Sequence, residues 1–167
     1  GSEMCIRDRN NTVSYKNFDL NVFFRFSGGN KIMNASRQSA LFNMDFSNNG
    51  TEILGRWISP EQPGDGMTPK IGYGDASSLF NDGYTDSHFV ESGNYLKLST
   101  LALGYTLPKA VVSKLNMTKI RFYVQGQNLL TITGYSGLDP ETNSRLGVDW
   151  NGMPQQRSFT FGANITF

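Results

Sequence analysis

The last eleven residues limit the fold more than any other stretch of the chain. Phe159, Phe161, Ala163, Ile165 and Phe167 occupy one phase of a two-residue period, and Ser158, Thr160, Gly162, Asn164 and Thr166 occupy the other. Successive side chains of a strand point to opposite faces, so residues 157–167 predict a strand with one apolar face and one small, polar face. A soluble sheet seldom ends on so apolar a strand, because an exposed apolar edge invites pairing with other chains. A barrel in a lipid bilayer requires that pattern, with apolar side chains toward lipid and polar ones toward the interior. The alternative is the last strand of a soluble β-sandwich, which would bury the same phenylalanines in a core.

Composition supports the bilayer reading. Charged residues make up 17% of the 167 residues, below the roughly 25% of soluble domains, while aromatics reach 13% and glycine numbers 18. The net charge of +1 argues against a nucleic-acid partner and against electrostatic attachment to a membrane surface. One cysteine, Cys5, excludes an internal disulfide and a cysteine-based zinc cluster. No apolar run reaches the roughly 18 residues of a transmembrane helix, which leaves a barrel untouched. No secretory signal peptide opens the chain, so an exported protein would begin upstream.

Residues 1–9 are charge-dense, lack a period and hold the only cysteine. They read as a non-native leader, and residues 10–167 as the structural part. Residues 17–27 predict the next strand: Phe18, Leu20, Val22, Phe24 and Phe26 share a face, and only Phe23 breaks the alternation. Residues 31–92 sustain no strand pattern and carry turn chemistry at 59–66 and 72–75, with apolar spacing at 34–57 suited to short helices. A connection of that length usually marks a functional loop. Residues 95–107 return to strand character with a change of phase near Ser99 and Thr100, which predicts either a bulge or a lumen side tolerant of the change. Pro108 stops this strand, residues 109–117 form a short helical turn, and residues 118–133 form another strand. Residues 134–156 are a second irregular loop. The layout is an antiparallel meander with alternating long and short connections. About four strands cannot close a barrel, since the smallest have roughly eight, so the fold expected is all-β, the last strands of a transmembrane β-barrel fragment with long external loops carrying short helices.

Several ordered motifs carry a resemblance. They are Phe89-Val90-Glu91-Ser92-Gly93-Asn94-Tyr95-Leu96-Lys97-Leu98, then Leu103-Gly104-Tyr105-Thr106-Leu107-Pro108, then Gly126-Gln127-Asn128-Leu129. Gly137-Leu138-Asp139-Pro140-Glu141, Gly147-Val148-Asp149-Trp150, Pro154 and Arg157-Ser158-Phe159-Thr160-Phe161-Gly162 complete the series. Together they resemble the C-terminal end of the SusC/RagA family of TonB-dependent outer-membrane transporters of Bacteroidota. The resemblance implies the last strands of a plugged 22-stranded barrel in the outer membrane of a Gram-negative bacterium. It implies import of oligosaccharides or oligopeptides with a SusD-like surface lipoprotein as partner. Energy would come from TonB, ExbB and ExbD, acting through N-terminal regions outside this sequence. The terminal strand, with Phe159, Phe161, Gly162, Ile165 and Phe167, would be the signal read by the barrel-assembly machinery. A soluble or surface-anchored glycan-binding β-sandwich and a passive porin are the alternatives.

Within that frame, Trp57, Tyr73, Tyr84, Tyr135 and Trp150 are the candidate ligand contacts, since they fall in the predicted external loops and loops carry function. The competing role for each is loop packing, girdle anchoring or contact with the lipoprotein. Arg25, Arg121, Gln125 and Gln127 are expected to face the lumen, where polar side chains tune selectivity. Asp139, Glu141 and Asn143 offer oxygens at alternate positions but lack the glycine and glutamate spacing of a calcium loop, so no metal or cofactor is expected. His88 is the only histidine, and no motif supplies it with a nucleophile and an orienting acid. No catalytic residue is assigned, and an enzyme is not expected.

Overall fold

A computed structural model describes residues 5–42, 48–68, 70, 87–141 and 147–167. The chain divides into two compact units. The first comprises Gly1–Asn30, Gly93–Gly134 and Pro154–Phe167, and the second Lys31–Ser92 and Tyr135–Met153.

The first unit is one antiparallel sheet of five strands. In chain order they are β1 (Cys5–Tyr15), β2 (Phe18–Gly28), β5 (Tyr95–Thr106), β6 (Lys119–Thr133) and β8 (Ser158–Thr166), and they lie side by side in that same order. Every pairing is antiparallel, and the sheet as described is open. The register carries the alternation from strand to strand. Phe18 pairs with Tyr105, Leu20 with Leu103, Val22 with Leu101 and Phe26 with Leu96. On the far side Phe122 pairs with Tyr105, Val124 with Leu103, Phe161 with Val124 and Ile165 with Ile120. Paired residues share a face, so one side of the sheet is almost wholly apolar. No other layer covers it among the described residues: Phe161 is 79% exposed, Phe159 63% and Ile132 57%. A sandwich would bury these side chains under a second layer, and the described residues supply none.

The phase change expected near Ser99 is a bulge. Against β2, Leu98 pairs with Phe24 and Thr100 with Phe23, leaving Ser99 over. Against β6, the pairs jump from Leu98–Leu130 to Thr100–Gln127, and Asn128 adopts a left-handed φ of 52°. The extra residue returns Leu101, Leu103 and Tyr105 to the face of Leu96 and Leu98, so the apolar face continues through an apparent sequence defect. Opposite Leu101 sits Gly126, where a Cβ would strike the Leu129 side chain.

Short turns close one end of the sheet. Lys16, with φ of 53°, and Asn17 connect β1 to β2. Pro108 opens the single helical turn Lys109–Val112, which runs through Ser113–Leu115 to a left-handed Asn116 before β6. Along the chain, the two segments of the second unit are inserted between β2 and β5 and between β6 and β8. Strand β1 lies outside the sequence expectation. Its Arg7 and Arg9 pair with Phe26 and Phe24 on the apolar face, which defeats the period-two signal until Val13 and Tyr15.

The second unit is built on a small sheet that the sequence pattern does not announce, because its strands are too short to show a period. Strand β3 (Lys31–Asn34) lies between β4 (Val90–Ser92), antiparallel to it, and β7 (Val148–Asp149), parallel to it. Ile32 and Phe89 are fully buried here. A helix, Ala35–Phe42, follows β3 directly, and a 3-10 turn covers Thr51–Gly55. Among the described residues no helix is long and apolar enough to cross a membrane, a fact that does not bear on strands.

Candidate functional site

Asn34, at the end of β3, is buried and caps the helix that follows: its Oδ1 accepts the Arg37 N–H at 2.9 Å. Its amide nitrogen donates to Glu91 Oε1 at 3.3 Å and to the Ser136 hydroxyl at 3.1 Å. Glu91 also accepts the Ser136 N–H at 2.8 Å and the Ser136 O–H at 2.7 Å, and pairs with Arg37 at 3.4 Å. One carboxylate thereby joins β4, the helix and the loop after β6. Burial opposes its ionisation, but the Ser136 bonds, the Asn34 amide and the Arg37 charge outweigh it and hold the Glu91 carboxyl below its usual range. Arg37 forks onto Glu52, with contacts of 3.1, 3.1 and 2.9 Å, and its guanidinium lies over the Phe89 ring. The Glu52 hydrogen bonds raise the Arg37 pKa above its ordinary value, against partial burial.

A second hub forms at Asp149 in β7, which is 3% exposed. The Tyr135 hydroxyl donates to Asp149 Oδ2 at 2.6 Å, and the N–H groups of Asn151 and Gly152 donate to Oδ1 at 2.9 and 3.2 Å. Burial first, and then the bond to Asp149, push the Tyr135 phenol well above its ordinary pKa. Asn151 takes a left-handed φ of 64° to close this turn, and Trp150 at its tip is 76% exposed.

Between the two hubs lies a cavity of about 560 Å³, lined by residues 34–37, by Ser39 and Glu52 and by the segments 136–138 and 149–151. Its size falls within the range of small-molecule sites. Of the aromatic residues singled out in the sequence, Trp150 stands at this cavity. Tyr135 is buried behind it and holds Asp149. Trp57 is elsewhere in the unit, in a turn where Asp65 accepts from the Met67 and Thr68 N–H groups, and Lys70 sits over its ring at 5.8 Å. Tyr73 and Tyr84 lie outside the described residues, as does Asn143. Glu91, Asn34, Arg37 and Asp149 were missed in the sequence, since nothing local marks a polar residue whose partners are far away in the chain.

In the first unit, Arg25, Arg121, Gln125 and Gln127 fall on the polar face: they pair with Lys97, Thr106, Ala102 and Thr100 respectively. Arg121 makes a two-pronged pair with Asp19, at 2.9 and 2.5 Å, across Gly104, where a Cβ would collide with both side chains. The Tyr123 ring occupies the space over Gly162 in the same way. Arg25 pairs with Asp8 at 3.4 Å, and its guanidinium lies over Phe23, which accounts for that phenylalanine on a polar face. Among the described residues no group of histidine, cysteine, aspartate or glutamate is arranged to hold a metal ion.

No family model matches the sequence. Among curated proteins, TonB-dependent receptor P3 of Formosa agariphila is 33% identical over 168 residues, which cover 95% of this chain and 16% of that protein. TonB-dependent receptor SusC of Bacteroides thetaiotaomicron is 26% identical over 171 residues, covering 93% of this chain and 14% of SusC. Among solved structures, that of the RagAB peptide transporter matches with a TM-score of 0.74 at 26% identity, covering 92% of this chain and 16% of the matched one. The chain therefore spans about one sixth of the length of the relatives it matches.

Proposed function

We propose, on the premise that this chain is a segment of a TonB-dependent receptor of the SusC/RagA type, that it forms part of an outer-membrane barrel importing oligosaccharides or oligopeptides. The observation that carries this reading is the single-layered sheet with one apolar face left open to its surroundings. Outer-membrane lipid is the natural neighbour of that face, and a lumen the natural neighbour of the opposite one. The polar face, with Arg25, Arg121, Gln125 and Gln127, then lines the interior. The second unit stands on the cell surface, where a SusD-like lipoprotein and the substrate meet it, and the turns at Lys16 and Lys109–Val112 face the periplasm. TonB, ExbB and ExbD act through regions beyond this segment, and the barrel-assembly machinery reads Phe159, Phe161, Gly162, Ile165 and Phe167. Residues 1–9 are foreign to the barrel. Arg7 and Arg9 stand on the face of Phe24 and Phe26, where a native strand would present apolar groups to lipid.

Cysteine labelling in intact cells tests the topology. In a receptor containing residues 10–167, Met67→Cys should react with a membrane-impermeant maleimide and Lys114→Cys should not. Equal labelling at both positions, or recovery of the protein in the soluble fraction, overturns the reading. Import itself is checked by uptake that disappears when TonB is deleted.

A further inference from the structure

We propose that the end of the first unit that carries the short turns is a binding surface for anionic phospholipid, with Lys16, Lys109 and Lys114 answering the headgroup phosphates. The inference rests on the reading of the apolar face as lipid-facing, and it adds the class of lipid that this end of the face selects.

A row of aromatic rings crosses the apolar face near that end. Tyr15 pairs with Phe18, Phe18 with Tyr105, and Tyr105 with Phe122, so four neighbouring strands place a ring at one level. The Phe18 and Tyr105 rings lie 4.7 Å apart. Aromatic rings collect where hydrocarbon meets headgroups, so the apolar face beyond this row, toward the turns, lies at headgroup depth. Ile120 is there, two residues from Phe122 and on the same face. It is only 6% exposed, while its register partner Ile165 is 49% exposed. The helical turn Lys109–Val112 packs against β6, and its Val112 is buried. The turn therefore folds over the apolar side of the sheet and covers Ile120. It is fixed in place. Pro108 opens it, the Ser113 hydroxyl donates to the Lys109 carbonyl at 2.8 Å, the Met117 N–H donates to the Val112 carbonyl at 3.3 Å, and the left-handed Asn116 closes it. Val111 and Leu115 are left about half exposed beside the exposed Lys109 and Lys114. Apolar groups flanked by lysines suit an element lying in a membrane interface, where the apolar groups enter the acyl boundary and the ammonium groups stay with the phosphates.

The charge of this end selects the headgroup. Residues 13–19, 104–122 and 162–167 carry Lys16, Lys109, Lys114, Lys119 and Arg121 against one acidic side chain, Asp19. Asp19 is committed to Arg121, and that pair stands with Lys119 on the polar face, in phase with Tyr123. Lys16, Lys109 and Lys114 are exposed and enter no ion pair among the described residues. The Lys16 ammonium lies 5.3 Å from the centre of the Tyr15 ring, which sets this charge at the end of the aromatic row. Three ammonium groups at headgroup depth, with no acid to answer them, match the phosphates of an anionic lipid. The turns face the periplasm in the reading above, so the partner is a phospholipid of the inner leaflet and not the lipopolysaccharide of the outer one.

The test uses the full receptor containing residues 10–167, purified in detergent and mixed with phosphatidylglycerol, phosphatidylcholine or lipid A, with bound lipid counted by native mass spectrometry. Phosphatidylglycerol should be retained over phosphatidylcholine, and the preference should shrink as salt rises. Lys16→Gln, Lys109→Gln and Lys114→Gln combined should cut that preference by at least about tenfold, whereas arginine at the same three positions should keep it. Lys119→Gln, at the same end but on the polar face, should leave it unchanged. Val111→Ser with Leu115→Ser should weaken both phospholipids alike, since those side chains meet acyl chains and not phosphate. Heat-modifiable mobility in gels should show every variant folded as the parent is. A parent without the preference, a glutamine triple variant that retains it, an equal loss in Lys119→Gln, or tighter binding of lipid A through the same lysines overturns the proposal. A receptor recovered with membranes but indifferent to headgroup overturns this inference alone, while recovery in the soluble fraction overturns the lipid-facing reading beneath it.

Discussion

At Glu91 four donors converge on one carboxylate: the Ser136 N–H and O–H, the Asn34 amide and the Arg37 guanidinium. Because they hold its folded pKa below the ordinary 4.5, the stabilisation is complete above that pH. It is lost as the pH falls through the folded value, when the protonated acid no longer accepts all four. Acidification from pH 6 downward, followed by tryptophan fluorescence, should therefore show a transition of the second unit beginning below about pH 4.5. Glu91→Gln should remove that transition and cost roughly 1.5–3 kcal/mol at neutral pH, the worth of hydrogen bonds to a charged group. An unchanged acid profile in the variant would assign the effect elsewhere. Glycines of the first unit make a different residue-scale prediction. Gly162→Ala sets a methyl group against the Tyr123 ring and should destabilise by about 1–3 kcal/mol, as overpacking does. The second-site change Tyr123→Ala should recover part of the loss, which chemical denaturation of the double variant would show.

The strands were legible because a face repeated every second residue leaves its mark in the sequence, and the terminal strand shows it most clearly. The break at Ser99 could be read as a bulge for the same reason: Leu98 and Leu101 cannot share a face unless one residue is left over. Strand β1 was illegible because Arg7, Arg9 and Asn11 occupy its apolar positions. The small sheet of the second unit was illegible because two to four residues hold no period. The cavity could be read only at Trp150. Its hubs depend on contacts between Asn34, Glu91, Ser136 and Asp149, separated by up to about a hundred positions, and composition does not encode such meetings. The face assignment has a direct test in paired substitutions on one strand. Phe161→Arg, on the apolar face, should cost about 2–4 kcal/mol if it lies near the bilayer midplane and should reduce assembled receptor in the outer membrane. Thr160→Arg, one residue away on the polar face, should assemble as the parent does. Heat-modifiable mobility in gels reads both, and equal defects would remove the lipid face from β8.

Five strands in an open sheet set the behaviour of the chain as a whole. Strands β1 and β8 are its two edges, each paired on one side only, and their free N–H and C=O groups need partners that hydrocarbon cannot supply. The apolar face adds a second demand, since Phe159, Phe161, Ile132 and Leu130 are all more than half exposed. In water both demands are met by self-association, through the edges and through the face. The 167-residue chain expressed alone should therefore aggregate in plain buffer and show β-structure by circular dichroism only in detergent, where micelles cover the face but leave the edges free to pair with other copies. Size-exclusion chromatography in detergent should then give oligomers, in contrast with a receptor whose remaining strands close the sheet. Removing residues 1–9 should leave both results unchanged if they are foreign to the barrel, because the pairing of Asn10 to Tyr15 with β2 is retained. A monomeric, β-rich protein in plain buffer would contradict the membrane reading at its root, for it would require the apolar face to be covered by a layer that the described structure does not contain.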